Sequence, residues 1–517
     1  MRIPPVLAIL TALCVLIAPA SASAEWRRAE SPQFIVYSTG SERALRDYVQ
    51  KLETFDMILR QRLRLRQGEP AVRKFPIYLV EGRRGLAEVF PGLNRDIAGI
   101  YSAAEEDIFA TAIRNGDDDI LLHEYTHHFM FQNAPGSYPG WLVEGFAEYH
   151  ATARISEGRV EIGRYSEARA SWLVNSPWIP LEELLSKRPG EVRRGTHQST
   201  YYPVAWLLTH WFLSDAGRRA QLQTYVEAVA AGGNPVEAME QSTGLTLDQL
   251  RSALRAYMRE RIQIVRYTAD FPEAEITVTT LPASADDLLL IGQRLKVGVP
   301  QDQRLATAEE VRRLAARYPD DPFAMLQLGH AELHFGDPDA GEAVLTRLLE
   351  REPDNIEALQ LMATRFMKLA TEAEDARPLL SRARGYLARA IAIDDSHYHT
   401  LLLLGETRRG APNYPNDNDI ATWAFAFEAA PQLPATRLGY ASVLMLVDRF
   451  DDAITLLQPL ANSPHGGGAA DAAEAMLELA ESRRPPLTEA EIEAAVEAGE
   501  DQPEDGGDTE ETPTPPA

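Results

Sequence analysis

The strongest chemical signal in this sequence is a pair of histidines, His123 and His127, in the segment DDDILLHEYTHHFMFQ. Residues four apart lie on the same face of a helix, so both imidazoles can bind one zinc ion. Glu124 lies about 100° around the helix from His123, near enough to bind a water on the metal without being a ligand. The apolar flanks are typical of a buried helix. We therefore predict a zinc site on this helix.

A second acidic motif follows sixteen residues after His127, where Glu144 stands in WLVEGFAEYH, residues 141–150. The combination of HExxH with W-L-x-E-G-F-A resembles the gluzincin metallopeptidases, and most closely the peptidase MA-like domains that bacteria attach to tetratricopeptide repeats. The resemblance implies that His123, His127 and Glu144 bind one zinc ion per chain and that Glu124 is the general base. Two imidazoles and one carboxylate leave a fourth position open for water, which is the catalytic arrangement.

Glu148 lies one helical turn after Glu144. In related enzymes an acid at this place orients the first histidine ligand. The resemblance therefore implies that Glu148 orients His123. Two alternatives remain open: Glu148 is an ordinary solvated residue, or it replaces Glu144 as the third ligand. His128 and His150 are left out of the ligand set; His128 points about 100° away from its neighbour in the motif.

The segment STYYPVAWLLTHWFL resembles the tyrosine-containing helix start that follows the third ligand in aminopeptidase-like gluzincins. The resemblance makes Tyr202 the donor to the tetrahedral oxyanion, with Tyr201 as its neighbour. The alternative is that both rings are core residues. Nothing like the family's exopeptidase motif precedes His123, where a hairpin is predicted at 99–113. We therefore expect an endopeptidase rather than an aminopeptidase.

The spacing of apolar residues predicts both strands and helices in the region that positions these residues. The runs FIVYS (34–38) and FPIYLV (75–80) are typical of strands, and a helix is predicted between them at about 41–65. Helices dominate after residue 117. We predict an α+β domain at 25–267, for which the resemblance implies a zincin-like metallopeptidase fold. Residues 268–285 lose helical periodicity and contain two prolines, which predicts a linker.

The chain after the linker, residues 286–484, repeats a helical pattern that predicts an all-α tetratricopeptide (TPR) solenoid. Leu328 and Gly329 occupy the seventh and eighth places of the first full unit, where a small residue allows close helix packing. A partial unit at about 286–321 precedes it. Stacked repeats form a concave surface, so we expect a protein partner there. The predicted units are 322–355, 356–397, 398–433 and 434–467.

The first 24 residues predict an exported protein. Residues 1–24 resemble a secretory signal peptide, and their apolar run of about 13 residues is short for a membrane anchor. Cys14, the single cysteine, lies in this segment, which leaves a lipoprotein signal as a rival interpretation. Residues 485–517 carry eleven Asp and Glu but no Lys or Arg, which predicts a disordered acidic tail. We expect a periplasmic or secreted product without a stable membrane anchor after signal cleavage.

Two functional hypotheses follow from these patterns. The first is an exported zinc metallopeptidase that hydrolyses peptide bonds while its repeats bind a substrate or partner protein. The second is a TPR-based binding scaffold whose metallopeptidase-like domain is not catalytic. The formal net charge of -25 over 517 residues disfavours nucleic acid as a partner, because it repels phosphate backbones.

Overall fold

The structure is a computed structural model that describes residues 25–66, 70–93, 97–114, 118–156, 158–260, 262–463 and 467–486. The predicted signal peptide lies outside the described residues, as does the predicted acidic tail apart from its first two residues. Among the residues that are described, no helix combines the length and apolar character needed to cross a membrane.

The helices and strands are numbered in chain order. They are β1 (Arg27–Glu30), β2 (Phe34–Ser38), α1 (Glu42–Leu63), β3 (Phe75–Val80), α2 (Gly82–Val89), β4 (Gly99–Ala103), β5 (Ile108–Ile113), α3 (Asp118–Asn133), α4 (Gly140–Ala151), β6 (Arg154–Ser156), β7 (Arg159–Ile162), α5 (Glu167–Asn175), α6 (Leu181–Ser186), α7 (Thr196–Leu213), α8 (Ala216–Ala230), α9 (Pro235–Thr243), α10 (Leu247–Arg259), β8 (Val265–Thr268), β9 (Thr277–Thr280), α11 (Ala285–Val297), α12 (Arg304–Ala315), α13 (Pro322–Phe335), α14 (Pro338–Arg351), α15 (Ile356–Thr371), α16 (Arg377–Ile393), α17 (Tyr398–Glu406), α18 (Asp417–Ala429), α19 (Pro434–Leu446), α20 (Phe450–Ala461) and α21 (Gly468–Glu481).

The chain divides into two compact units, each built from stretches that are distant in sequence. Unit 1 contains the described residues up to Tyr125, together with Ile155–Gly158 and Thr268–Ile393. Unit 2 contains Thr126–Arg154, Arg159–Tyr267 and the described residues from Asp394 onward. Each unit therefore combines part of the N-terminal α+β region with part of the helical repeats.

Unit 1 contains a sheet in which six of the described strands follow the order β4-β5-β3-β2-β1-β9. Strands β2, β3 and β5 run parallel, and the register aligns Phe34 with Phe75 and Ile77 with Ala110. All residues of β3 are buried, as expected for a parallel strand with both faces covered. The strands predicted at 34–38 and 75–80 and the hairpin predicted at 99–113 are confirmed.

Strand β9 lies inside the segment 268–285, for which the sequence predicts a linker. It pairs antiparallel with β1, so that Val278 lies opposite Ala29 and Thr280 opposite Arg27. The segment TVTT consists of β-branched residues, which suit a pleated surface, but its partner strand stands about 250 positions earlier in the chain. The segment is therefore more than a linker, because it supplies the edge strand of the sheet.

The predicted repeat units each contain two helices: α13 and α14, α15 and α16, α17 and α18, α19 and α20. The insertions of the two longer units fall between their helices, at residues 372–376 and 407–416. Helices α11 and α12 occupy the partial unit predicted at about 286–321. The helical pattern of the sequence therefore positions these helices correctly.

Helix caps and a close contact at a glycine stabilise the first full repeat, which lies in unit 1. Asp321 caps α13 by accepting a hydrogen bond from the Ala324 amide, and Asp337 caps α14 in the same way. A Cβ atom on Gly329 would lie 2.5 Å from Leu345 Cδ2, so the small residue lets the two helices of the repeat approach. In unit 2, Trp423 of α18 is fully buried among the later repeat helices.

Candidate metal centre

Helix α3 carries the two histidines of the predicted zinc site, and Tyr125 between them fixes its rotation. The Tyr125 hydroxyl donates to Asp56 Oδ1 at 2.7 Å, and Asp56 Oδ2 accepts from Arg60 Nε at 2.6 Å, both on α1. Burial raises the pKa of Tyr125, so its hydroxyl stays protonated and remains a donor. His127 is buried and His123 is half-buried.

Helix α4 supplies Glu144 and packs closely against α7. Gly145 makes this contact possible, because a Cβ atom there would lie 2.2 Å from Thr209 Oγ1 and 2.5 Å from the Ala205 carbonyl oxygen. The buried Trp141 indole donates to the Tyr225 hydroxyl at 3.0 Å and fixes the start of α4. The Trp-Leu-x-Glu-Gly motif is thus a packing motif that holds Glu144 in the protein interior.

The three predicted ligands come together. One ligand atom each from His123, His127 and Glu144 lies within 4.8 Å of the other two. His127 Nε2 and Glu144 Oε2 are 3.4 Å apart, and both side chains are almost completely buried. A carboxylate in such a position costs free energy unless a cation or several donors compensate its charge.

The spacing of these atoms fits zinc. In a tetrahedral site with metal–ligand bonds of about 2.0–2.1 Å, two ligand atoms lie about 3.3–3.4 Å apart. A charge-assisted hydrogen bond would bring the nitrogen and oxygen to about 2.7–2.9 Å. The observed 3.4 Å between His127 Nε2 and Glu144 Oε2 therefore matches two ligands of one ion better than a direct ion pair. Two imidazoles and a carboxylate are also donors that zinc prefers.

Glu124, the predicted general base, is half-buried on α3 and lies within electrostatic reach of strand β4. Burial raises the pKa of Tyr101 on β4; Arg73 opposes this rise and the Glu124 carboxylate adds to it. Tyr101 is therefore a neighbour of the predicted base that the sequence analysis missed. Its only sequence signal is its place in the predicted hairpin at 99–113.

Glu148 forms a bidentate ion pair with an arginine that the sequence analysis also missed. Arg169 on α5 donates from Nε to Glu148 Oε2 at 3.1 Å and from Nη2 to Oε1 at 2.8 Å. The Arg169 guanidinium also lies over the Tyr202 ring, 4.9 Å from its centroid. Glu148 is therefore buried with a cationic partner rather than solvated. Its predicted role toward His123 stays a prediction.

The two adjacent tyrosines of α7 have different environments. Tyr201 is fully buried, and its hydroxyl donates to the Lys187 carbonyl oxygen at 3.0 Å. Burial raises the pKa of Tyr201 far above its ordinary value, with a smaller contribution from the Glu144 carboxylate. Tyr202 is half-buried and holds its ring against Arg169. Of the two, Tyr202 has the more exposed side chain.

A cavity of about 340 Å³ opens in unit 2, beside the connector that precedes α4. Its lining includes Ser137, Tyr138, Arg188 and Asn462, the last from the end of repeat helix α20. Asn462 Nδ2 donates to Ser137 Oγ at 3.1 Å, and Arg188 donates to the Ala461 carbonyl oxygen. The C-terminal repeat helices of unit 2 therefore contribute directly to this cavity.

Comparison with known proteins identifies one tetratricopeptide repeat segment. A family model described as tetratricopeptide repeat matches residues 322–365. Among solved structures, a thermophilic TPR protein of Thermus thermophilus is similar at 20% identity and a TM-score of 0.33, over 38% of this chain and 100% of that one. The comparison with curated proteins found no match. The chain thus contains a tetratricopeptide repeat after an N-terminal α+β region, and such repeats suggest a protein-binding or scaffold role.

Proposed function

We propose that this protein is a zinc-dependent endopeptidase whose metal ligands are His123, His127 and Glu144. The observation that carries the proposal is the cluster of these three ligand atoms within 4.8 Å, with a buried carboxylate and imidazole at a separation that suits zinc. We further propose that the α+β region has a zincin-like fold and that the protein acts outside the cytoplasm after export.

Zinc bound by these residues supplies a Lewis acid that polarises a carbonyl and lowers the pKa of water. His123, His127 and Glu144 would hold the ion. Glu124 accepts a proton from the attacking water as the new carbon–oxygen bond forms at the peptide carbonyl. It then donates that proton to the leaving amine as the carbon–nitrogen bond breaks.

The residues of α5 and α7 would stabilise the charge that develops on the carbonyl oxygen. Tyr202 donates a hydrogen bond to this oxygen, which typically lowers the barrier by about 3–4 kcal/mol. Arg169 positions the Tyr202 ring and neutralises Glu148, so that this carboxylate does not repel the negative charge that develops on the carbonyl oxygen. The protonated Tyr201 instead supports the wall of the neighbouring cavity through Lys187.

The TPR helices would bind the substrate protein or a partner. The family match at 322–365 supports this role, and the hydrogen bond between Asn462 and Ser137 brings the last repeat to the connector before α4. An extended substrate segment in the cavity of about 340 Å³ would contact the connector at Ser137 and the last repeat at Asn462. The repeats would then act as a recognition element for a polypeptide.

The decisive experiment compares Glu124→Gln with wild-type protein. We expect the variant to keep the wild-type zinc content while cleavage of an unfolded protein substrate falls about 10²–10⁴-fold, because only the proton acceptor is lost. Glu182→Gln, which removes an exposed carboxylate on α6, is the matched control and should cleave normally. Unchanged cleavage by Glu124→Gln would refute the proposed mechanism.

The tetratricopeptide match also favours a second candidate, a binding scaffold whose metallopeptidase-like region is not catalytic. This candidate predicts that partners captured by the repeats bind wild-type protein and His123→Ala equally well and that none of them is cleaved. The endopeptidase proposal predicts that captured partners are cleaved by wild-type protein and accumulate uncut with Glu124→Gln and with His123→Ala.

A further inference from the structure

A second group of metal-ligating side chains lies in unit 1. Glu106, His330 and His334 each contribute one ligand atom, and these atoms lie within 4.8 Å of one another. Glu106 stands in the turn between β4 and β5, whereas His330 and His334 are four residues apart on repeat helix α13. The two histidines therefore share a helix face, as His123 and His127 do.

The geometry of this group suits a metal ion. His330 is 3% exposed, and its Nε2 lies 3.2 Å from Glu106 Oε2. Among the described residues, this nitrogen has no hydrogen-bond partner of acceptable geometry. The 3.2 Å separation is close to the distance of about 3.3 Å expected between two ligands of tetrahedral zinc. The His330 and His334 rings meet edge to face, with centroids 5.1 Å apart.

Neighbouring contacts hold the Glu106 turn in place. The Ala104 amide donates to the Asp107 carbonyl oxygen at 3.1 Å, which closes the turn. The Asp107 carboxylate accepts from Arg73 Nη2 at 2.6 Å and lies 4.0 Å from Lys296 Nζ. A ligand on a turn fixed from both sides meets the requirement that a metal site be built on supported positions.

Charge around the group also favours a divalent cation. Four carboxylates meet two cations in this part of unit 1: Glu105, Glu106, Asp107 and Glu357 against Lys296 and Arg73. Lys296 Nζ and Glu357 Oε1 form an ion pair at 2.7 Å, and Arg73 pairs with Asp107. Among these six described residues the carboxylates outnumber the cations by two, a difference that a bound dication would offset.

We propose that Glu106, His330 and His334 form a second zinc site, which links the β4–β5 turn to repeat helix α13. The sequence predicts one zinc ion per chain, whereas this proposal requires two. It is independent of the proposed peptidase function, since it concerns only metal binding and stability. Its rival is a direct ion pair between protonated His330 and Glu106, which needs no metal.

Metal counting on the full chain tests the proposal. The protein is stripped with a chelator, dialysed against Zn²⁺ and analysed by mass spectrometry, with Co²⁺ absorption as a second readout of tetrahedral binding. We expect about two zinc ions in wild-type protein and about one in both Glu106→Gln and His334→Gln. His127→Gln should also retain about one, and combining it with His334→Gln should remove both.

His197→Ala is the control, because His197 is partly exposed and its Nδ1 lies 3.0 Å from Glu183 Oε2. It should bind as much zinc as wild-type protein. Glu106→Gln preserves side-chain size on a turn, so it tests the site even if a substitution of the buried His330 prevents folding. Wild-type zinc content in Glu106→Gln and His334→Gln would overturn the proposal and support the ion pair. Loss of hydrolysis alone would not bear on it.

Discussion

The two groups of histidine and glutamate use the same construction on different helices. Each places two histidines four residues apart, on α3 and on α13, and takes a glutamate from another element. They differ at the residue that follows the first histidine: Glu124 follows His123, whereas Ala331 follows His330. The α13 group therefore lacks the glutamate that directly follows the first histidine of the α3 group.

The arginine–glutamate pairs near the two groups also differ in what they contact. Near the α3 group, Arg169 connects Glu148 with the half-buried ring of Tyr202. Near the second group, the glutamate that pairs with an arginine is Glu332 on α13. Its carboxylate accepts a hydrogen bond from Arg312 Nε at 2.6 Å and another from the Asp337 amide at 2.9 Å. Glu332 thereby serves the packing of the repeat. The comparison teaches that similar ligand sets suit different purposes, because the neighbouring residues decide what a bound metal can do.

The largest expected effect separates the two groups by activity. His127→Gln should lower kcat/KM for peptide hydrolysis by at least about 10³-fold, because zinc contributes several kcal/mol to the transition state. His334→Gln should stay within about twofold of wild type. Initial rates on a fluorogenic peptide at matched protein concentration measure both. An equal loss in His334→Gln would end the distinction between a catalytic and a structural group.

The second comparison concerns the glycines that allow helices to approach at each group. Gly145→Ala should lower the free energy of unfolding by about 1–3 kcal/mol, because the new methyl group meets the backbone of Ala205. For Gly329→Ala the nearest atoms belong to the buried Leu345 side chain, which can shift more easily than backbone, and alanine gains about 1 kcal/mol of helix propensity, so the loss should be smaller. Urea denaturation followed by circular dichroism should show the larger loss for Gly145→Ala. Equal losses would show that α4 and α7 can separate.

The third effect tests the arginine near the α3 group. Arg169→Met should reduce kcat about 10-fold while zinc content is unchanged, because Glu148 loses its partner and Tyr202 loses its support. Arg169→Lys should restore part of the rate. Arg312→Met, which removes the partner of Glu332, is the matched control and should hydrolyse normally. A wild-type kcat for Arg169→Met would show that the arginine has only a structural role.

The smallest effect concerns His210 on α7, a buried histidine whose two ring nitrogens contact protein oxygens rather than a potential metal. Nδ1 lies 2.7 Å from the Tyr257 hydroxyl and Nε2 lies 3.1 Å from the Gly163 carbonyl oxygen. Burial lowers the pKa of His210 to about 4. Between pH 6.5 and about 4 the unfolded chain binds a proton that the native protein does not, so stability falls as the pH falls.

His210→Gln should remove this dependence, which amounts to about 0.8 kcal/mol at pH 6. Well above pH 6.5 both states have a neutral imidazole, and the variant should show only a constant offset from wild type. Thermal unfolding at several pH values between about 5 and 8 measures the difference. Parallel pH profiles for the two proteins would contradict the assignment of a neutral native His210.

The sequence predicted those features that short-range patterns encode. The spacing of His123 and His127 defines one helix face, and the periodicity of the repeats positions their helices. The proximity of Glu144 came from a motif resemblance, and the structure supplies its physical reason in Gly145, whose lack of a side chain lets α4 approach α7.

Contacts between distant parts of the chain were missed. Arg169 stands 21 residues after Glu148 in a helix without a recognisable motif, and Glu106 precedes His330 by more than 200 residues. The histidine pair on α13 was itself visible, but it lay in a segment interpreted as a repeat helix. Local periodicity cannot specify which turn or strand a helix face meets, because that choice depends on the packing of the whole unit.

The pairing of β9 with β1 has a consequence for handling this protein. A fragment ending at residue 267, the predicted domain boundary, would lack β9 and would expose the backbone groups of β1 along its open edge. Unpaired edges of this kind recruit strands from other molecules, so such a fragment should aggregate. A protease that cuts between residues 268 and 276 would leave β9 attached to the helical part, and its dissociation would expose the same edge. Fragments intended to isolate the metal centre should therefore extend beyond Thr280.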